Sequence, residues 1–119
     1  MSSKRGDTAY LYDIIVAIEK IWKYTKGLTF EEFLLDEKTV DAVCRNLEII
    51  GEAAKYISKD LRDRHKNIPW REIIALRNRI IHEYFGVDEE IIWQIIKHDL
   101  APLYKGLKEI LKSLQGGFK

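Results

Sequence analysis

The stretch Val40–Ile57, VDAVCRNLEIIGEAAKYI, decides the fold class. Val40, Val43, Leu47, Ile50, Ala54 and Ile57 follow one another at steps of three, four and three or four again. That spacing returns side chains to one face of an α-helix and never to one face of a strand. The pattern predicts a long helix buried along one side. Gly51 interrupts it, at a cost of about 1 kcal/mol relative to alanine. A glycine in that place makes sense if a second backbone packs close against that turn.

The same period extends in both directions. Leu11, Ile14, Ile18 and Ile21 predict a first helix, with Asp7 as its cap and Gly27 as the left-handed residue past its end. Thr29 and Glu32 are spaced as a capping box, which opens a short helix through about Leu35. Residues 58–67 read as a charged connector able to hold a helical turn. Pro69 suits the first position of a fourth helix, whose stripe is Trp70, Ile73, Ile74, Ile80 and Ile81 and whose end is Phe85-Gly86. Asp88 is placed to cap a fifth helix, with Val87 stapled to Ile92. Ile92, Ile96, Leu100, Leu103, Leu107, Ile110 and Leu114 carry that helix to the C-terminus, and Pro102 should kink it by leaving the His98 carbonyl without its donor. No segment alternates with period two. The expectation is all-α: an antiparallel four/five-helix up-and-down bundle in a single domain, 1–119, with its core in about 8–114. Trp70, Trp93 and the surplus of isoleucines suggest a homodimer.

Length and composition fit that reading. A chain of 119 residues with 46% apolar residues makes one globular domain. One cysteine, Cys44, excludes an internal disulfide framework and a multi-cysteine zinc site; it reads as a small core residue. His65, His82 and His98 are too far apart for a familiar zinc pattern, so no metal site is expected. His65 and His98 read as surface or capping groups. No run of 18 apolar residues exists and the start is polar, so the expected compartment is the cytoplasm, with no membrane partner.

The net charge of +1 hides a polarised distribution. Lys55, Lys59, Arg62, Arg64, Lys66, Arg71, Arg77 and Arg79 face three acids in the same segment, for +5. Residues 31–48 and 83–99 each carry −4. The basic segment is either a solvated face with ordinary ion pairs or a surface that follows phosphates, with Arg71 and Arg79 as RNA-binding candidates.

That segment leads into LRNRIIHEY, residues 76–84. Arg77 offers a planar, permanently charged fork that matches a phosphate. His82 exchanges protons near neutral pH. Asn78, one turn earlier, can orient that imidazole or a substrate oxygen. Such groups suit metal-free RNA cleavage, in which a base deprotonates a ribose 2′-hydroxyl and an arginine stabilises the charge gained at phosphorus. Arg77 and His82 are five apart, so their azimuths on an ideal helix differ by about 140°. Arginine's length, a loosened helix end or two motifs meeting across a dimer would close that gap. The structural alternative is an exposed Arg79–Glu83 ion pair.

Arg77-Asn78, His82, Tyr84, Val87-Asp88 and Trp93, together with the upstream run Arg45–Ala54, resemble the signature of HepT-like HEPN-domain toxins. The resemblance spans roughly Thr8 to Leu114. It implies a homodimeric helical bundle with both motifs lining one cleft, and a metal-independent endoribonuclease of a toxin–antitoxin pair. Arg77, His82 and Asn78 would be catalytic. The implied partner is a minimal nucleotidyltransferase antitoxin that attaches AMP to Tyr84. The family also contains non-catalytic relatives, so the alternative is a nucleotide- or RNA-binding helical subunit of a two-component nucleotidyltransferase.

Overall fold

The computed structural model describes the backbone of residues 6–83 and 89–116 and the side chains of 6–80 and 89–115. Every regular element among them is helical. In chain order these are α1 (Asp7–Thr25), α2 (Phe30–Leu35), α3 (Glu37–Tyr56), α4 (Lys59–Arg64), α5 (Trp70–Glu83), α6 (Glu89–Gln94) and α7 (Leu100–Gly116). The expected all-α bundle is what the chain forms.

α3 is its centre. It packs against α1 on one side and α5 on the other, and α1 also carries α7. The stripes read from the sequence are the core: Leu11, Ile14, Ile18 and Ile21 of α1 are fully buried, as are Val43, Leu47, Ile50 and Ala54 of α3. Ile73, Leu76 and Ile80 supply α5, and Leu100, Leu107 and Ile110 supply α7. Cys44 is in this core. Burial first, and then the carboxylates of Asp41, Glu48 and Glu89, push its thiol up to about 11, which keeps it in the protonated, unreactive form at neutral pH.

The helix ends follow local chemistry. The Thr29–Glu32 capping box is complete, with Glu32 N–H donating to Thr29 Oγ1 at 3.1 Å and Thr29 N–H donating to Glu32 Oε1 at 2.9 Å. Gly27 follows α1 with φ +80°, the left-handed conformation expected there. Asp7 does not cap α1, contrary to expectation. Gly6 is the cap, and Asp7 sits in the first turn. Its carboxylate instead accepts from Ser58 N–H at 2.8 Å and Ser58 Oγ–H at 2.7 Å. Ser58 in turn caps α4 by accepting from Leu61 N–H at 3.1 Å. The start of α1 is thereby tied to the end of α3 and the start of α4.

The charged connector holds a full helix, α4, which buries Leu61 and pairs Lys59 with Asp63 at 2.8 Å and Arg64 with Asp60 at 3.3 Å. Pro102 lies in the first turn of α7. A π-helical stretch, Ile95–Asp99, joins α6 to α7, and Leu100 N–H bonds back to Ile95 O, five residues earlier. A widened turn upstream takes up the mismatch that the missing proline N–H creates. α5 begins at Trp70, one residue after Pro69, whose carbonyl accepts from Ile73.

The tryptophans find partners within the chain. Trp70 is buried and donates its indole N–H to His65 O at 2.9 Å. Trp93 packs on Phe30 and Phe33, with ring centroids 5.9 and 5.1 Å away, and this joins α2 to α6. Neither ring therefore calls for a second subunit. The expected contacts at Phe85-Gly86, Val87 and Asp88, and the side chain of Ile81, lie outside the described residues. No described helix is long and apolar enough to cross a membrane.

Candidate active site

Gly51 brings α5 against α3. A Cβ at that position would lie 2.7 Å from the backbone nitrogen of Arg77, 3.0 Å from Ile73 O and 3.2 Å from the Arg77 Cβ. Two backbones pass within touching distance there, as the glycine inside the apolar stripe anticipates. The contact falls at the residue whose side chain is the first catalytic candidate.

Next to Gly51 stands Glu52. Its Oε1 lies 3.0 Å from Arg77 Nε, with the two side chains 43% and 45% exposed. Oε1 itself is sealed from water and makes no hydrogen bond of good geometry, so Arg77 holds it by charge at close range. Arg77 Nη1 donates to Asn78 Oδ1 at 3.3 Å. Asn78 therefore engages Arg77 through its side-chain carbonyl oxygen. Glu52 turns the Nε edge of the guanidinium toward α3, while nearly half of the side chain stays open to solvent.

Arg77 opens onto a groove of about 430 Å³. Tyr10 and Asp13 of α1 line one wall. Arg45, Glu48, Ile49, Glu52, Ala53 and Tyr56 of α3 form its length, and Arg77 closes it from α5. The α3 residues recur at three and four, so the groove follows the stripe opposite the core. Three carboxylates and two guanidinium groups give it a mixed, slightly acidic lining.

The other basic candidates are not gathered here. Arg71 lines a separate groove of about 630 Å³ with Lys59, Arg62 and Lys66. Arg79 lines a third, of about 580 Å³, between α5 and α7, near Ile95, Asp99 and Pro102. Arg71, Arg77 and Arg79 thus face three directions, as 100° per residue requires. His82 is on α5, but its side chain, that of Glu83 and the whole of Tyr84 lie outside the described residues. Among the described residues no group of three metal-ligating side chains assembles. Glu52 was not singled out by sequence reasoning. Its signal was its place beside Gly51, because the residue next to a close helix crossing meets whatever the other helix presents.

The sequence profile described as "Ribonuclease HepT-like" matches residues 14–110. Among curated proteins, the chain is 49% identical over 109 residues to one of Thermococcus cleftensis named "Probable ribonuclease HepT", covering 92% of this chain and 98% of the relative. A Methanocaldococcus jannaschii protein with "Putative RNase" in its name is 41% identical over 113 residues, covering 95% and 93% of the two chains. Another so named, from Caldanaerobacter subterraneus, is 44% identical over 103 residues, covering 87% and 92%. No solved structure matches the chain significantly.

Proposed function

The chain belongs to the HepT-like ribonuclease family, and from that premise we propose that it is a metal-independent endoribonuclease whose cleavage is carried by Arg77 and His82. The observation that carries the reading is the placement of Arg77. A glycine-enabled helix crossing fixes its backbone, a carboxylate fixes one edge of its guanidinium, and the rest opens onto a groove. A guanidinium held in this way meets developing phosphate charge without having to reorganise.

His82 in its neutral form takes the proton of a ribose 2′-hydroxyl. The 2′-oxygen attacks the adjacent phosphorus, the bond from phosphorus to the 5′-oxygen breaks, and an imidazolium returns a proton to that leaving oxygen. The products are a 2′,3′-cyclic phosphate and a 5′-hydroxyl. Arg77 stabilises the added negative charge at phosphorus, and Asn78 steadies Arg77. The angular offset between Arg77 and His82 on one helix favours a homodimer in which the two motifs share a cleft. The test is cleavage of single-stranded RNA by the full chain in excess EDTA. Cutting should persist and leave cyclic phosphate ends, and an RNA blocked by 2′-O-methyl groups should stay intact. Loss of cutting in EDTA or 5′-phosphate products would reject the mechanism. Binding without any product would favour the non-catalytic subunit instead.

We further propose that this nuclease is the toxin of a toxin–antitoxin pair, neutralised by a minimal nucleotidyltransferase. The hydroxyl of Tyr84 attacks the α-phosphorus of ATP, pyrophosphate leaves and the hydroxyl proton is lost. The attached AMP adds bulk and negative charge two residues from His82, against the substrate phosphate. Co-expression with the partner should raise the intact mass by one or more AMP units, and Tyr84→Phe should abolish the gain. An unchanged mass alongside full inhibition would show a partner that acts by binding alone.

A further inference from the structure

The groove beside Arg77 has a second end that the cleavage chemistry leaves unused. Tyr56 lies one turn beyond Glu52 on α3, about 6 Å along the helix axis. It remains 53% exposed. Tyr10 of α1 stacks against it, with ring centroids 5.5 Å apart and planes inclined by 24°. This contact holds the Tyr56 ring in place, and a tyrosine has few torsions left to freeze. Ile49 and Ala53 give the groove an apolar floor between the ring and Arg77. Its volume lies within the roughly 300–1,000 Å³ typical of small-ligand sites.

The charges say what fits. Three carboxylates against two guanidinium groups make the lining unsuited to a second phosphate. A neutral, flat heteroaromatic ring is suited to it, because a base stacks on an aromatic face whatever its identity. A carboxylate such as that of Glu48 is an acceptor for the N–H groups on a base edge. We propose that Tyr56, backed by Tyr10, is the stacking platform for an unpaired nucleobase of single-stranded RNA next to the phosphate held by Arg77. This rests on the ribonuclease reading of the same groove. It adds that the enzyme grips a splayed-out base and so selects single strands over duplex.

The probe is a single-stranded, fully 2′-O-methylated RNA carrying 2-aminopurine, which can be bound but not cut. Wild-type full-length protein should quench its fluorescence, and Tyr56→Phe and Tyr56→Trp should do the same. Tyr56→Leu should bind roughly 5- to 150-fold more weakly and lose the quench. On cleavable RNA the same variant should raise KM far more than it lowers kcat. Tyr56→Phe and Tyr56→Trp keep the stacking on Tyr10 and should leave the melting curve unchanged, whereas Tyr56→Leu loses it and should melt a few degrees lower at most, with the fold intact. Binding and quenching by Tyr56→Leu within about twofold of wild type, from a protein that still cuts RNA, would overturn the platform alone. A wild-type protein that neither binds nor cuts RNA would overturn the ribonuclease reading and the platform together.

Discussion

Arg77→Ala should lower the rate of RNA cleavage by about 10²–10³-fold, the usual loss when one preorganised donor to a developing oxyanion is removed. The fold should survive the change. The Arg77–Glu52 pair is nearly half exposed on both sides, and such pairs contribute roughly 0–1 kcal/mol. For a domain of this size that moves Tm by a few degrees, about 4–8 °C per kcal/mol at most. The two readouts thus separate chemistry from stability. Arg77→Lys keeps the charge but loses the planar fork that matches a phosphate, so it should recover only part of the rate. His82→Ala should cost a similar factor, about 10²–10⁴, through loss of proton transfer. The double variant should fall little below the worse single one, because residues acting as one unit are not additive. Cleavage by Arg77→Ala within about threefold of wild type, on an intact helical fold, would remove the guanidinium from the mechanism.

Much of this arrangement is legible in the chain, and the illegible parts have physical reasons. The stripes of α1, α3 and α7 are long enough for a 3.6-residue period to stand out. α4 is not, because Leu61 is the one buried side chain in a six-residue helix of charges. Two of the segment's acids pair with its own lysine and arginine, so part of the +5 charge cluster is the ordinary ion-paired face that the sequence left open. Pro102 announces a break in hydrogen bonding but not its form, since the π-turn lies upstream of the proline itself. Trp70 and Trp93 look like surplus apolar surface until His65 O and the α2 phenylalanines are placed beside them. Glu52 and Tyr56 illustrate the deeper reason. Each gains meaning from a partner on another helix, Arg77 or Tyr10, and the register between helices is set by packing that no single periodicity contains.

Gly51→Ala tests that register where it matters most. Alanine is the better helix former, by about 1 kcal/mol, so on propensity alone the variant should be stabilised. The crossing predicts the reverse. The new methyl would sit 2.7 Å from the Arg77 backbone nitrogen and 3.0 Å from Ile73 O, and backbone atoms inside a helix cannot rotate aside. α5 must retreat from α3, and overpacking of this kind costs about 1–3 kcal/mol. The net result should be a loss of up to about 2 kcal/mol, a Tm lower by several degrees. Activity should fall further than stability. A shift of about 1 Å in a catalytic group can cost about 10²-fold in rate, and α5 carries both Arg77 and His82. Gly6→Ala is the control for activity: nothing lies within 4 Å of its added methyl, so the variant should lose no more than the few tenths to about 1 kcal/mol of a poorer cap on α1 and cleave at the wild-type rate. A Gly51→Ala protein that melts higher than wild type and cleaves at full rate would mean that α3 and α5 do not touch at this turn. Arg77 would then need some other support to face its substrate.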